Sequence, residues 1–195
     1  MSNDESLMLE FQRGSSQAFQ MLFEQYRVPL YAFFYRRLGS RERAEDLTQD
    51  TFVAVIRSAD RYEPLATVRT YLYSIATNLL LGERRRQVRR AGGLAPGAET
   101  GEELPEHPQD PDDALWVRQA LERLEPLERE ILMLREYEQL SYGEIAEVLG
   151  LPVNTVRSRL FRSREALRSQ LQPAEKTMDD SRRYGPGEAT EMGHI

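Results

Sequence analysis

Cysteine is absent from the 195 residues, which excludes a disulfide framework and any thiolate metal site. Histidine occurs only as His107 and His194. No glycine-rich phosphate loop and no nucleophile elbow accompany them, so histidine or thiol catalysis has nowhere to sit, and neither an enzyme, a cofactor nor a metal is expected. No apolar run approaches the roughly 20 residues that span a bilayer; even the stretch 72–82 is interrupted by Ser74, Thr77 and Asn78. The opening MSNDESLMLEF lacks the basic segment and apolar stretch of a secretory signal. A soluble, cytoplasmic protein without membrane insertion is expected.

Lysine is nearly missing as well: of 26 basic residues all but Lys176 are arginine. Arginine suits bidentate phosphate and base-edge contacts and stacking, although an arginine-rich genome would give the same composition. The net charge of −6 argues weakly against nucleic-acid binding, because phosphates reward clustered cations. Distribution matters more than the sum. Residues 1–90 hold 14 Arg and 11 acids, 91–113 hold seven acids and no base, and 114–172 hold nine of each. The excess acidity therefore sits in the middle and in the tail.

The segment 91–113 contains four Gly, four Pro and seven acids with almost no large apolar residues, which reads as a flexible linker. It divides the chain into 1–90 and 114–172, with a polar tail 173–195 expected to be disordered. Extended, 23 linker residues would reach about 75 Å; as a coil they would average about 27 Å. Modules so joined can touch DNA sites more than one helical turn apart.

Both modules read as helical, since apolar residues recur at three and four and no run alternates with period two. In the first, Phe19, Leu22, Phe23 and Tyr26 form a stripe and Pro29 suggests a kink or break. Gly39 ends that element and Ser40 caps the next. That helix, 41–58, should place Ala44, Leu47, Phe52, Val55 and Ile56 inward. An irregular piece at 61–66 precedes a helix over 67–90 with Val68, Leu72, Ile75 and Leu79 as its buried stripe. In the second, a helix over 113–124 should bury Ala114, Val117, Leu121 and Leu124, and Pro126 suits the first turn of its successor.

Ser141 and Glu144 have the spacing of a capping box. Ile145, Ala146 and Leu149 should face inward, and Gly150 supplies the left-handed residue that ends the short helix. Val153, Val156 and Leu160 then continue the core face of a second helix. Asn154, Thr155, Arg157, Ser158, Arg159 and Arg162 remain for solvent or DNA. Short polar and arginine side chains near the start of a second helix are what major-groove entry requires. A helical hairpin with solvated arginines is the plainer alternative, and repressors or response-regulator output domains would fit the same pattern.

Around the outer side of the 67–90 helix lie Tyr71, Ser74, Asn78 and Arg85, with Arg84 and Arg86 adjoining. Such a mixture can stack on unpaired bases, bond their edges and hold the backbone by charge. Half-buried core aromatics and a solvated helix end are the competing explanations.

With these motifs in hand, the chain resembles the extracytoplasmic-function (ECF) branch of the sigma-70 family. The string RERAEDLTQDTFVAVIRSADRY, 41–62, is similar to the family's polymerase-binding helix of region two. TVRTYLYSIATNLLLGERRR, 67–86, is similar to its promoter-melting, minus-ten-reading helix, and 121–168 is similar to region four, which reads the minus-thirty-five element. The resemblance implies an all-α fold of two small helical domains and a sigma factor for promoter-specific transcription initiation, serving a stress or envelope-signal regulon. Its partners would be promoter DNA and core RNA polymerase, through the beta-prime clamp helices and the beta flap; an anti-sigma factor is left open as a further partner.

On that resemblance Asp46, Gln49 and Asp50 should meet the clamp helices, beside Leu47 and Phe52. The loop from Arg61 and Tyr62 to Thr67 should receive a flipped base. Tyr71, Ser74, Asn78, Arg84, Arg85 and Arg86 should hold the strand or adjacent duplex, and Asn154, Thr155, Arg157, Ser158, Arg159 and Arg162 should read the minus-thirty-five element. Two positions depart from the family pattern: Tyr71 stands where Trp is usual, and Gly82 where an acid is usual. The rival from a neighbouring class is a stand-alone helix-turn-helix regulator that binds its operator unaided.

Overall fold

The computed structural model describes residues 3–90 and 111–171; the rest of the expected linker and the tail lie outside the described residues. Every regular element among them is helical: α1 (Asn3–Gln12), α2 (Ser16–Leu38), α3 (Arg41–Ser58), a 3-10 turn (Ala59–Arg61), α4 (Val68–Arg90), α5 (Pro111–Glu122), α6 (Pro126–Glu136), α7 (Tyr142–Leu149) and α8 (Val153–Leu171). The all-α expectation is met.

Local signals set most boundaries. The Ser15 hydroxyl accepts from the Ala18 N–H at the start of α2, and the Ser40 hydroxyl accepts from the Arg43 N–H at the start of α3, each satisfying one donor that the helix leaves orphaned. Gly39 closes α2 with φ 67°, a left-handed conformation that any side chain would strain. α5 begins at Pro111, two residues ahead of its expected start.

Pro29 does not break the first long helix; α2 continues through it to Leu38. A proline inside a helix costs about 3 kcal/mol. The next turns carry Leu30, Phe33 and Phe34, all fully buried, and burying each such side chain contributes about 1.5–3 kcal/mol. Packing wins over the local penalty.

α1 to α4 form the first module, with Met8, Leu22, Leu30, Phe33, Phe34, Leu47, Phe52, Val55, Leu72 and Leu80 in its interior. Phe23 and Ile56 are correspondingly at the rim rather than inside; Phe23 still packs on Phe52 with tilted rings, centroids 4.7 Å apart. α4 departs most from expectation. Its buried line is Val68, Leu72, Tyr73, Ala76 and Leu80, while Ile75 and Leu79 are only partly covered. This helix is covered by α3 along one flank and by α7 along another, so its buried arc is rotated away from the stripe that a single packing partner would select.

α5 to α8 form the second module around Leu124, Ile131, Leu134, Leu140, Ile145, Val156 and Leu160. Val117 and Val153, both expected inward, are exposed. Val117 lies on α5 and Val153 in the first turn of α8. The two modules meet along α4 and α7.

Candidate nucleic-acid interface

The helix-turn-helix is built as its residues require. The Ser141 hydroxyl accepts from the Glu144 N–H at 3.3 Å, and the Glu144 carboxylate accepts from the Ser141 N–H at 2.8 Å, so the capping box is closed in both directions. Gly150 ends α7 with φ 64°, and Leu151 and Pro152 complete the turn into α8. Ile145 and Ala146 are buried and Leu149 is half-buried. On the outer face of α8, Asn154, Arg157 and Ser158 are exposed and Thr155 is half-buried.

The arginines of that face are not equivalent. Arg157 makes no ion pair among the described residues, whereas Arg159 donates to Glu125 at 3.0 Å and Arg162 lies 3.4 Å from Glu128. Arg159 and Arg162 are thus tethered back to α6 instead of standing free. Exposed pairs of this kind contribute about 0–1 kcal/mol, so exchanging a carboxylate for a phosphate costs little.

In the first module a cleft of about 220 Å³ opens beside α4, lined by Tyr62, Glu63, Leu65, Thr70, Tyr71 and Ser74 among others. The Tyr62 and Tyr71 rings meet edge to face at 5.2 Å. The Tyr71 hydroxyl shares a 2.6 Å hydrogen bond with Ser58 at the end of α3. The Tyr62 ring is buried, yet its hydroxyl finds no hydrogen-bond partner among the described residues. A buried hydroxyl in that condition is costly, and burial raises its pKa above the ordinary phenol value, with Glu5 and Tyr71 adding to the shift.

The loop below the cleft is fixed from an unforeseen direction. The Gln12 amide at the end of α1 donates to the carbonyls of Ala59, Asp60 and Tyr62 at 3.0, 3.3 and 3.2 Å, so α1 clamps the turn that carries Arg61 and Tyr62. No periodicity in the sequence announces a glutamine that reaches 47 residues along the chain.

Farther along α4, Asn78 and Arg85 are exposed. Arg86 lies 3.3 Å from Glu83. Arg84 is half-buried and its guanidinium is lowered from the ordinary value, chiefly by burial, with Glu130 opposing and Arg129 and Arg37 adding to the shift. Gly82 has open space on its outer side apart from the Arg86 guanidinium at 3.8 Å. The next residue, buried Glu83, receives Arg43 of α3 at 2.7 Å and ties the two helices together.

On α3, Gln49 and Asp50 are exposed and Asp46 is half-exposed in a 2.7 Å pair with Arg43. Leu47 and Phe52, expected among the partner-binding residues, are interior; they orient the polar face and do not lie on it. A shallower groove of about 570 Å³ runs between this face and α4, lined by Asp50, Val53, Arg57, Arg61, Ile75 and Leu79 among others.

A helix-turn-helix with a free polar face, and an aromatic cleft at the foot of an arginine-bearing helix, define a two-module all-helical DNA-binding protein. Residues 22–90 match the family model Sigma-70 region 2, and residues 114–167 match Sigma-70, region 4. The chain is 33% identical over 182 residues to the RNA polymerase sigma-H factor of Pseudomonas aeruginosa, covering 87% of this chain and 94% of that protein. It is 31% identical over 175 residues to the ECF RNA polymerase sigma factor SigW of Bacillus subtilis, covering 83% and 93%. The solved sigma factor RpoE of Bartonella quintana, in complex with the anti-sigma factor NepR, has a TM-score of 0.68 at 25% identity and covers 78% of this chain and 96% of its own.

The chain belongs to the sigma-70 family of RNA polymerase sigma factors, in its ECF branch. It binds core RNA polymerase and directs transcription initiation, which sets aside the stand-alone regulator. No described helix is long and apolar enough to cross a membrane.

Proposed function

We propose that the two modules divide the work of promoter recognition. Residues 1–90 dock on polymerase and open the minus-ten element, and 114–172 read the minus-thirty-five element, with 91–113 as tether. The observation that supports the first half is the cleft walled by the Tyr62 and Tyr71 rings. At about 220 Å³ it lies below the roughly 300–1,000 Å³ of small-molecule sites, a size suited to one unstacked base. Extruding a base costs a few kcal/mol, and stacking returns about 1–3 kcal/mol per base. Ser74, Asn78, Arg85 and Arg86 then hold the strand.

Asp46, Gln49 and Asp50 present the polar face of α3 to the beta-prime clamp helices. Asn154, Thr155, Arg157 and Ser158 enter the major groove, and Arg159 and Arg162 turn from Glu125 and Glu128 to flanking phosphates. The protein acts in the cytoplasm, supplies recognition and performs no chemistry of its own.

Purified core polymerase with this protein should initiate at promoters that neither uses alone. Asp46→Ala with Gln49→Ala should weaken core binding and spare DNA contact; wild-type core affinity in that double variant overturns the α3 assignment. Arg157→Ala should cost about 1–3 kcal/mol of promoter affinity for the holoenzyme, and an unchanged footprint removes Arg157 from the interface.

A further inference from the structure

The turn that carries Arg61 and Tyr62 comes where α3 runs out, and helix ends leave carbonyls without partners of their own. Three carbonyls there, on Ala59, Asp60 and Tyr62, converge on the side-chain nitrogen of Gln12 at 3.0, 3.3 and 3.2 Å. An oxygen cannot face three acceptors, so the surroundings fix which end of the Gln12 amide points at the turn. Its two hydrogens serve three oxygens, and one bond is shared. Gln12 therefore works as a helix cap delivered from another element.

α1 holds that amide steady. At the start of the helix the Asp4 carboxylate accepts from the Tyr26 hydroxyl, and from the Gln25 amide at 3.0 and 3.1 Å, both on α2. Along its inner face Leu7 and Met8 are buried. Near its end Phe11 lies on Phe19 of α2, with ring centroids 4.8 Å apart. Polar bonds at one end and apolar packing along the rest leave Gln12 on a rigid support.

The gripped turn leads straight into the aromatic cleft. Tyr62 supplies one wall, and Glu63, Leu65 and Ala66, which line the cleft as well, belong to a stretch without regular structure. Leu65 is 87% exposed. A cleft selects by shape only when its walls keep their places to within about 0.5 Å. An irregular loop offers that only if its root is held, and the root is the 59–62 turn.

We propose that Gln12 is a positioning residue for base recognition: through the 59–62 turn it sets where Tyr62 stands, and so which base the cleft accepts. This rests on the assignment of the cleft proposed above. Gln12 acts through the turn, since its amide hydrogens are committed to the carbonyls and its side chain is partly covered. A loop ordered in advance need not be ordered when the base arrives, so the fit of the preferred base is kept as affinity. Without the amide the turn drifts; the cleft still takes a base and no longer chooses among them.

Core polymerase assembled with the full-length protein can select duplexes from a pool randomised across both promoter elements, and sequencing the bound fraction gives the base preference at each position. Tyr71→Ala marks the position read by the cleft as the one whose preference it flattens. Gln12→Ala should flatten that same position, from roughly tenfold for the preferred base to within about twofold, and leave the minus-thirty-five preferences as they were. Gln12→Glu, equal in size but turning a carboxylate toward the carbonyls, should do the same. Gln12→Lys returns a donor to the three carbonyls and should recover most of the preference. Gln20→Ala, at an exposed residue of α2 bonded to Glu24, should change nothing.

Far-ultraviolet circular dichroism and co-migration with core polymerase should be unchanged in the Gln12 variants. Wild-type preference at the cleft position in both Gln12→Ala and Gln12→Glu overturns the proposal. A loss spread evenly over both promoter elements also overturns it, because it marks a general structural role. So does a Gln12→Lys chain that recovers nothing, since the donor is then not what matters. If Tyr71→Ala flattens no position, the cleft assignment itself fails and Gln12 has nothing to position; a flattened position in Tyr71→Ala beside an intact one in Gln12→Ala sinks the positioning role alone.

Discussion

Each module's interior is apolar, whereas the contact between them adds ion pairs and hydroxyl bonds to a continuous apolar cluster. Inside the modules Leu30, Phe34, Leu47, Ile131, Leu134 and Ile145 are fully buried against one another. Across the seam Arg37, Glu130, Glu138, Thr67, Thr70 and Glu144 do the joining. Apolar contact is non-directional and strengthens with area, so it keeps a module shut under all working conditions. Ion pairs and hydroxyl bonds have equivalents in water, so a surface made of them can close without being locked.

The largest effects should come from the interiors. Leu30→Ala, at a site with no exposure, should cost about 2–5 kcal/mol in denaturant melts that follow helicity; a loss below 1 kcal/mol would mean that the first module is not held by its apolar core. Next comes an alkaline test of the boundary between core and seam. Burial, followed by the neighbouring Glu138 carboxylate, raises the Tyr73 phenol to about 12 from 10.0. A raised pKa contributes stability that is complete below pH 10 and is lost as pH climbs through 12, on the order of 2 kcal/mol at the upper end. Stability plotted against pH should fall less steeply in Tyr73→Phe than in the wild type, and parallel curves would refute the environment described for that phenol.

Smaller effects lie at the helix-turn-helix. Ser141→Ala removes the cap of α7 and should cost about 1 kcal/mol in the melting of the second module. Glu144 adds an acid-side signature. Burial works to raise its carboxyl, and the bonds from Ser141, Thr67 and Thr70 overcome that and hold it below the ordinary value. A lowered pKa contributes stability above the unfolded value and loses it as pH falls through the folded one. Melting stability should accordingly fall as pH drops below the usual glutamate range, and in Ser141→Ala that loss should begin at higher pH than in the wild type. The smallest change should follow Arg164→Ala, which breaks an exposed 2.7 Å pair with Glu136 and should shift stability by less than about 1 kcal/mol.

Much of this architecture is legible in local chemistry. Gly39, Ser40, Ser141, Glu144 and Gly150 mark helix ends because each acts through its own backbone within a few residues. The buried line of α4 lies one step away from the periodic stripe because Leu72, Tyr73, Ile75, Leu79 and Leu80 leave an apolar helix with more than one candidate face. Only the positions of α3 and α7 select between them. Period alone points Phe23, Ile56, Val117 and Val153 inward, and period cannot tell a central position from a rim. Glu83, the partner of Arg43, and Gln12, the clamp on the 59–62 turn, had no local signal at all.

The order of the helices after Ser15, most of their ends, the two-module division and the family follow from the sequence alone, since caps, periodicity and motif spacing act over a few residues; the first helix, Asn3–Gln12, does not. The tertiary structure decided which arginines stand free on α8, which face of α4 is covered, and that Glu138 closes on Arg36 and Arg37 about a hundred residues away. Contacts of that range depend on where rigid helices come to lie. An isolated glutamate in a polar loop carries no trace of the partner that folding brings to it.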